Sequence, residues 1–317
     1  MHGGRGIALP FLWLAGGLGI FWYGLESLRE GARGALGHLQ DRLWRQTARP
    51  LTGFLAGALC AALLNSSGAT ALLTVGLVEA QLVGLRGAIA MILGANVGTT
   101  VVPQILASPL GDWGLPLAGV GALMKLGSPW RRIRAAGQGL MGFGLVLLGL
   151  GTAASSLQPL ARGVDWAGLL AGLRGPVRGL GLGVVMALAL QSGNAAVAIL
   201  QGVAGESRLP VLLAAPVVMG INLGSSLPTL LAALVSGGAA GRRVAVFHVL
   251  CNAVGIAVFF PASAALARLA VVSAVYPPSQ VALVHTLFNL GTSLAELPFV
   301  AAWEKLCRWL VPGKGDR

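Results

Sequence analysis

The chain has 317 residues, of which 56% are hydrophobic and only 10% are charged, and it contains 48 glycines. A soluble domain usually has about 25% charged residues and about 7% glycine, so this chain lacks the charge to cover a water-exposed surface. Disorder requires low hydrophobicity and high charge, and collagen requires a glycine at every third position, so both are excluded. The composition predicts an all-α polytopic membrane protein.

The first apolar segment covers residues 7–25 and follows Arg5. A secretory signal peptide would end in a small-residue cleavage site, and no such site follows this segment. We therefore expect the segment to be retained as the first membrane helix.

Two polar motifs occur twice with the same internal spacing. The motif N-S-S-G-A-T begins at Asn65, and the asparagine of G-A-N-V-G-T-T is Asn96, 31 positions later. The motif Q-S-G-N-A-A begins at Gln191, and the asparagine of G-I-N-L-G-S-S is Asn222, again 31 positions later. The same offset of 126 residues aligns a proline and several glycines of the two halves. Such a repeat predicts an internal duplication.

Each repeat is predicted to contain a helix, a re-entrant helical hairpin and two further helices. The repeats cover residues 1–130 and 131–262, with hairpins at residues 50–84 and 176–208, and residues 263–317 follow them. In each hairpin the polar motif separates apolar arms of about 14 and 10 residues, whereas a crossing needs about 20. A non-helical tip at membrane depth is tolerated only where protein or a cavity shields it.

Three full crossings per repeat would make the two repeats inverted relative to each other. With the N-terminus outside, 16 of the 22 Lys and Arg residues fall in inside segments, as the positive-inside rule requires. Residues 262–274 are too short to cross and are expected to form an outer re-entrant or interfacial segment. A final helix over residues 281–300 would then return the chain to a cytoplasmic tail. If residues 262–274 do cross, the C-terminus lies outside.

Neutral polar side chains at such tips suit an ion site inside a membrane. Helix N-termini attract anions, and unwound carbonyls and hydroxyls suit a small cation such as Na⁺. A lone Ser or Thr in a membrane helix usually bonds to its own backbone or to a neighbouring helix, and Gly-x-Asn-x-Gly can serve close packing. Duplication of both motifs in register favours a binding site.

The polar tip followed by G-x-N-x-G-[ST]-[ST] resembles the type II sodium–phosphate cotransporter family, including its bacterial relatives. The resemblance covers residues 16–299 and includes the segments H-V-L-C-N from His248 and H-T-L-F-N from His285. It implies a secondary active transporter that couples Na⁺ to inorganic phosphate by alternating access in a bacterial cytoplasmic membrane. The chain differs from the family in having Asn65 in place of Gln and fewer hydroxyls at the second tip. It is also expected to lack the soluble, regulator-like C-terminal domain of many bacterial relatives.

The resemblance implies that phosphate and Na⁺ bind at the two tips and at the two motifs that follow them. The predicted binding residues are Asn65, Ser66, Ser67, Thr70, Asn96, Thr99 and Thr100 in the first repeat and Gln191, Ser192, Asn194, Asn222, Ser225 and Ser226 in the second. Those expected to bind Na⁺ are Ser66, Ser67, Thr99, Ser192, Asn194 and Ser225.

A secondary group of candidates consists of His248, Asn252, His285 and Asn289. Each histidine precedes an asparagine by four residues, which places the two side chains on one helix face. Helix–helix hydrogen bonding is one interpretation, and contact with a proton or with phosphate is the other, because histidine titrates near neutral pH. Glu26 and Glu296 lie at the ends of predicted helices, where solvation is expected and a role as a coupling carboxylate is the alternative.

Several other functions remain open or are disfavoured by the sequence. The chain could carry another small anion, or it could be a membrane scaffold or sensor with a degenerate site. An enzyme is disfavoured because the sequence has no Ser/His/Asp set, no HExxH motif, no paired carboxylates and no Walker motif. Cys60, Cys251 and Cys307 lack metal or redox spacing and are expected to pack as small apolar residues.

The expected partners are inorganic phosphate, Na⁺ and the lipid bilayer. No nucleic acid is expected, because the basic residues that give the net charge of +12 lie in short gaps between apolar segments. No organic cofactor is expected. A homodimer, the ion stoichiometry and the direction of transport are left open by the sequence.

Overall fold

A computed structural model describes residues 3–36, 50–107, 113–162, 175–207, 211–236 and 238–313. Over these residues the regular structure is helical, without strands, so the predicted all-α fold is confirmed. Four helical segments are long and apolar enough to cross a membrane, namely Phe11–Leu28, Leu85–Leu106, Val211–Val235 and Ala239–Phe259. The chain is a multi-pass membrane protein.

The described residues form fourteen α-helices. In the first half they are α1 (Gly3–Leu36), α2 (Pro50–Leu64), α3 (Ser67–Glu79), α4 (Leu85–Gly98), α5 (Val101–Leu106) and α6 (Gly114–Gly127). The rest are α7 (Arg131–Arg162), α8 (Pro176–Leu190), α9 (Gly193–Ser207), α10 (Val211–Ser236), α11 (Ala239–Phe259), α12 (Ser263–Ser273), α13 (Pro277–Glu296) and α14 (Val300–Leu310), with a short 3₁₀ helix, Leu297–Phe299, between α13 and α14.

Helix breaks occur at both predicted hairpin tips. Helices α2 and α3 have 15 and 13 residues, and α8 and α9 have 15 each. At 1.5 Å per residue each is only about 20–22 Å long, shorter than the roughly 30 Å of a hydrocarbon core. The lengths agree with the predicted re-entrant hairpins, while their inverted arrangement in the membrane stays a prediction.

The first helix of each hairpin crosses the following long helix at backbone contact. A Cβ added to Gly94 of α4 would lie 1.8 Å from the carbonyl oxygen of Phe54 in α2. A Cβ added to Gly220 of α10 would lie 1.9 Å from the carbonyl oxygen of Leu180 in α8. These two pairs are related by the same 126 residues as the motifs. Only glycine permits this approach, and small residues are the usual means by which membrane helices pack closely.

Close contacts at glycines also join α1 and α6 to α7. A Cβ on Gly31 of α1 would lie 2.1 Å from the backbone nitrogen of Gly139 in α7, and one on Gly121 of α6 would lie 2.2 Å from that of Met141. Helix α7 therefore packs between α1 and α6.

The buried apolar residues form two main clusters, one around each hairpin. The first joins α2, α3 and α4 with α11 and α14, and includes Phe54, Met91 and Phe247. The second joins α8, α9 and α10 with α12 and α13, and includes Val217 and Val284. Each hairpin is thus held by its own repeat and by helices from the C-terminal part of the chain.

A turn at Thr99 and Thr100 separates α4 from α5. Pro103 cannot donate a backbone hydrogen bond to the carbonyl of Thr99, and the Thr100 hydroxyl donates instead to the carbonyl of Val97 at 2.8 Å. The matching helix of the second repeat, α10, is continuous and carries Pro216 and Pro228 inside it.

The C-terminal part contains more helix than the sequence predicts. Residues 262–274 include the 11-residue helix α12, about 16 Å long and too short to cross. The predicted final helix corresponds to α13, which runs from Pro277 to Glu296 rather than over residues 281–300, and the expected tail forms α14. Glu304 of α14 pairs with Arg86 at the start of α4 and with Arg308 at 3.1 Å, which ties this helix to the first repeat.

The glycine contact between α2 and α4 can be tested by substitution. We expect Gly94→Ala to lower the apparent Tm of the purified protein by roughly 5 °C or more, because overpacking typically costs 1–3 kcal/mol and here the obstacle is backbone. Gly76→Ala is a matched control, because a Cβ on Gly76 of α3 would meet nothing within 4 Å. It should leave the Tm unchanged or raise it slightly, since alanine favours helix. Equal Tm values for the two variants would contradict the proposed contact.

Candidate functional site

The two helix breaks have the same backbone geometry. Asn65, between α2 and α3, and Gln191, between α8 and α9, both have φ of 49°, in the left-handed region. Non-glycine residues rarely adopt this region, and asparagine tolerates it better because its short side chain can bond locally. The same unusual turn at two positions 126 residues apart agrees with the predicted duplication.

A serine caps the second helix of each hairpin. Ser66 Oγ accepts a hydrogen bond from the backbone N–H of Ala69 at 3.0 Å, and Ser192 Oγ accepts one from Ala195 at 3.2 Å. A hydroxyl that accepts in this way retains its own proton for another partner. Each tip therefore combines a hydroxyl donor with the N-terminal end of a helix, which suits an anion.

Asn194 connects the two helix breaks. Its Nδ2 donates to the side-chain oxygen of Asn65 and, at 3.2 Å, to the backbone carbonyl of the same residue. Its Oδ1 accepts from Thr99 Oγ1 at 3.2 Å. The exposed fraction is 3% for Asn65 and Asn194 and 6% for Thr99. Predicted binding residues from both tips and from the first Gly-x-Asn-x-Gly motif thus lie in direct contact.

Asn252 of α11 connects the two Gly-x-Asn-x-Gly motifs. Its Oδ1 accepts from Asn96 Nδ2 at 3.1 Å, and its Nδ2 donates to the backbone carbonyl of Asn222 at 3.2 Å. All three residues are buried. For Asn252 the predicted helix–helix hydrogen bonding is present.

His248, His285 and Asn289 differ from Asn252. His248 is fully buried, and neither of its ring nitrogens has a hydrogen-bond partner among the described residues. Helix–helix hydrogen bonding, one of the two interpretations from the sequence, therefore has no support for this side chain among the described residues. Asn289 donates to the carbonyl of His285 in its own helix at 2.9 Å, and its Oδ1 has no described partner.

Several predicted hydroxyls donate to carbonyls of their own helices, the usual behaviour of Ser and Thr in membrane helices. These bonds have lengths of 2.7–2.9 Å and are Thr70 to Ser66, Thr100 to Val97, Ser225 to Asn222 and Ser226 to Leu223. A hydroxyl that donates its proton in this way presents only lone pairs to a further partner. These oxygens suit a cation better than an anion.

Ser225 lies close to both hairpin tips. A Cβ on Gly68 would lie 3.5 Å from the backbone oxygen of Ser225, and a Cβ on Gly193 would lie 3.2 Å from its Cβ. The same Cβ on Gly68 would lie 3.8 Å from Thr229 Oγ1, a buried atom without a hydrogen-bond partner among the described residues. Thr229 was missed in the sequence, although its position four residues after Ser225 places both on one helix face.

The two tips differ in accessibility. Asn65 is buried, whereas its counterpart Gln191 is exposed, as are the residues before it at the end of α8. Ser67 of the first tip is also buried, while Gly193 of the second is half-buried. The difference lies at Gln191 and the end of α8, because Asn194 of the second tip is itself buried.

The positions of the carboxylates differ from those that the sequence predicts. None of the thirteen predicted binding residues of the two repeats is charged, and the described residues hold no group of three His, Cys, Asp or Glu that could bind a metal ion. Glu26 is exposed, but it lies inside α1 rather than at a helix end. Glu296 is only 6% exposed, so its predicted solvation is wrong: the start of α14 and the facing surface of α11 cover it.

Known proteins provide independent comparisons. Residues 20–155 match the family described as Na+/Pi-cotransporter. An uncharacterized Bacillus subtilis (strain 168) protein, YqeW, is 28% identical over 310 residues, which cover 93% of this chain and 96% of YqeW. No solved structure matches the chain.

Two further relatives are longer than this chain. The YjbB protein of Salmonella typhimurium (strain LT2) is 30% identical over 306 residues, and YjbB of Escherichia coli (strain K12) is 29% identical over the same length. Both carry a name that assigns them provisionally to inorganic phosphate export. The aligned region covers 96% of this chain but 56% of each YjbB protein, so the chain spans about half of their length.

These relatives are bacterial, which indicates a cytoplasmic membrane as the location of this multi-pass protein. The family match falls on the first repeat and on the start of the second, where the tip and Gly-x-Asn-x-Gly motifs that carry the resemblance first occur. The match over residues 20–155 confirms the resemblance to the Na+/Pi-cotransporter family that was drawn from the motifs.

Proposed function

We propose that the chain is a secondary active transporter that couples Na⁺ to the movement of inorganic phosphate by alternating access. The observation that carries the proposal is the contact of Asn65, Thr99 and Asn194, which joins both helix breaks without any charged side chain. Paired broken helices that meet at a repeat interface are the usual substrate site of secondary transporters. The family match supports a carrier rather than an enzyme.

Phosphate is proposed to bind between the N-termini of α3 and α9. Ser66 and Ser192 cap these helices by accepting hydrogen bonds, so their hydroxyl protons can point to phosphate oxygens. The partial positive charge of two helix ends favours an anion, and a neutral site avoids the cost of a buried cation in the membrane. These two serines, which the sequence places among the Na⁺ ligands, are better suited to phosphate.

Na⁺ is proposed to bind oxygens whose protons are already engaged. Thr99 Oγ1 donates to Asn194, and Ser225 Oγ donates to the carbonyl of Asn222, so each presents lone pairs to a cation. Na⁺ beside the tips would attract the phosphate, and the phosphate would attract Na⁺. Mutual attraction of this kind is the physical basis of coupling, because each ion binds better when the other is present.

Alternating access is proposed to exchange the roles of the two tips. The first tip is buried beneath Asn194, while Gln191 of the second tip is exposed. An inverted repeat allows a second state in which the second tip is covered and the first is open. The direction of net flux follows the gradients, so the same carrier can import or export phosphate.

Uptake into proteoliposomes tests the proposed function. Labelled phosphate is expected to accumulate when an inward Na⁺ gradient is imposed, and replacement of Na⁺ by choline should reduce this uptake to the level of empty vesicles. Excess unlabelled phosphate and arsenate should compete with the label more strongly than sulfate. Equal uptake in choline would overturn the Na⁺ coupling. Stronger competition by another anion would change the substrate, and absence of any flux would favour a scaffold or sensor.

The two classes of hydroxyl predict different kinetic effects. We expect Ser192→Ala to raise the KM for phosphate about tenfold at saturating Na⁺, because a hydrogen bond to a charged group contributes about 1.5–3 kcal/mol. Ser225→Ala should instead raise the Na⁺ concentration needed for half-maximal uptake. Initial rates over a grid of phosphate and Na⁺ concentrations separate the two effects. The assignment fails if the two variants alter the same constant.

Asn194 is expected to be more important than an equally polar residue outside the tips. Asn194→Ala removes its bonds to Asn65 and Thr99, and three buried hydrogen bonds of about 0.5–1.5 kcal/mol each predict at least a tenfold loss of phosphate uptake. Gln104→Ala is the matched control, because Gln104 donates to Thr286 at 2.8 Å between α5 and α13. Uptake is normalised to the amount of folded protein. A loss of the same size in both variants would contradict the role of the tip contact.

A further inference from the structure

Glu296 is a buried carboxylate without a hydrogen-bond partner. It ends α13, its exposed fraction is 6%, and neither Oε1 nor Oε2 has a donor among the described residues. A buried glutamate is nearly always paired, because an isolated charge loses its hydration without compensation. A buried carboxylate without a partner is a candidate functional group.

Glu296 lines a cavity of about 480 Å³ between α11, α13 and α14. Thr292, one helical turn away, also lines it, and its Oγ1 has no described partner. The other side chains that line the cavity are aliphatic or aromatic, among them Val258, Phe259 and Trp303. The side chains that line this pocket offer three oxygens, those of Glu296 and Thr292, and a proton needs only one of them.

Lys305 of α14 is exposed, and three other basic residues near this helix are paired with other groups. Arg86 and Arg308 pair with Glu304, and Arg243 Nε donates to the backbone oxygen of Val311 at 2.9 Å. Partial burial raises the pKa of Glu304, but the hydrogen bonds and charges of Arg86 and Arg308 outweigh this, so its pKa lies below the ordinary value. Glu304 is thus held as a charged carboxylate, eight residues and about 12 Å along the chain from Glu296.

The cavity lies within one helical turn of the central asparagine contacts. On α13, Ser293 donates from Oγ to the carbonyl of Leu93 at 2.9 Å, which ties the helix to α4 three residues before Asn96. On α11, a Cβ added to Gly255 would lie 2.5 Å from Cγ2 of Thr292. Gly255 follows Asn252, which bridges Asn96 and Asn222, by three residues. A change of charge on Glu296 therefore acts on helices that hold both repeats.

We propose that Glu296 is a proton-binding site that couples phosphate movement to a proton gradient, an inference that rests on the proposed transport function. The carboxylate takes up a proton from one side, remains neutral in the apolar cavity while the carrier changes state, and releases the proton on the other side. The helices around it carry other titratable groups, namely Cys251 and Arg243 on α11, Cys307 on α14, and Arg86 on α4, which is paired with Glu304.

The test compares Glu296→Gln with Glu304→Gln in proteoliposomes without a Na⁺ gradient. For the original protein and for the Glu304→Gln control, an imposed proton gradient should change phosphate accumulation severalfold. For Glu296→Gln, accumulation should not respond to the gradient. Phosphate itself carries protons, so the comparison between the two variants, rather than the size of the effect, isolates the side chain. The same response in Glu296→Gln as in the original protein would overturn the proposal.

Two further measurements keep the outcome decisive. Phosphate–phosphate exchange without any gradient tests the transport function alone: its absence in the original protein overturns that function, whereas exchange without a response to a proton gradient overturns only the role of Glu296. If Glu296→Gln does not fold, Glu296→Asp replaces it, because a shorter carboxylate should shift the pH midpoint of gradient-driven uptake. An unchanged midpoint in Glu296→Asp overturns the proposal.

Discussion

The close crossing of a short helix over a long one, once in each repeat, is the constraint on which the rest of the structure depends. At Gly94 and Gly220 the backbone of the neighbouring helix occupies the space that a side chain would need. This contact holds α2 against α4 and α8 against α10 at fixed depth. It therefore sets where α2 and α8 end, and with them the turns at Asn65 and Gln191. A looser crossing would leave the tips without a defined position.

Because the tips have fixed positions, neutral side chains can bind an ion here, as charged side chains do in soluble proteins. Asn194 bonds to Asn65 and accepts from Thr99, so polar atoms in the interior satisfy one another. A hydrogen bond between amides is cheaper to bury than an ion pair and easier to exchange for a ligand. The unpartnered Thr229 hydroxyl beside the first tip is the kind of group that such a ligand could satisfy.

The sequence predicts the parts of this arrangement that depend on local chemistry. The apolar segments, the two breaks and the register of 126 residues all follow from composition and motif spacing, and residues as distant as Asn65 and Asn194 could be grouped because the repeat relates them. It could not predict that Gln191 would be exposed while Asn65 is buried, because accessibility depends on packing between repeats. The burial of Glu296 could not be predicted for the same reason. It depends on α14, which follows a turn that no sequence motif indicates.

The distribution of charge connects these observations. The chain excludes charged side chains from the contact between its tips, yet it buries one carboxylate a short distance away. An ionised Glu296 in an apolar cavity would be unfavourable throughout the cycle, and a permanently neutral one would gain little over glutamine. A carboxylate is useful at this position only if both forms occur, each favoured in a different state of the carrier. The turn at residues 297–299 places α14 along one side of this pocket, so a shift of α14 would change how easily Glu296 reaches water.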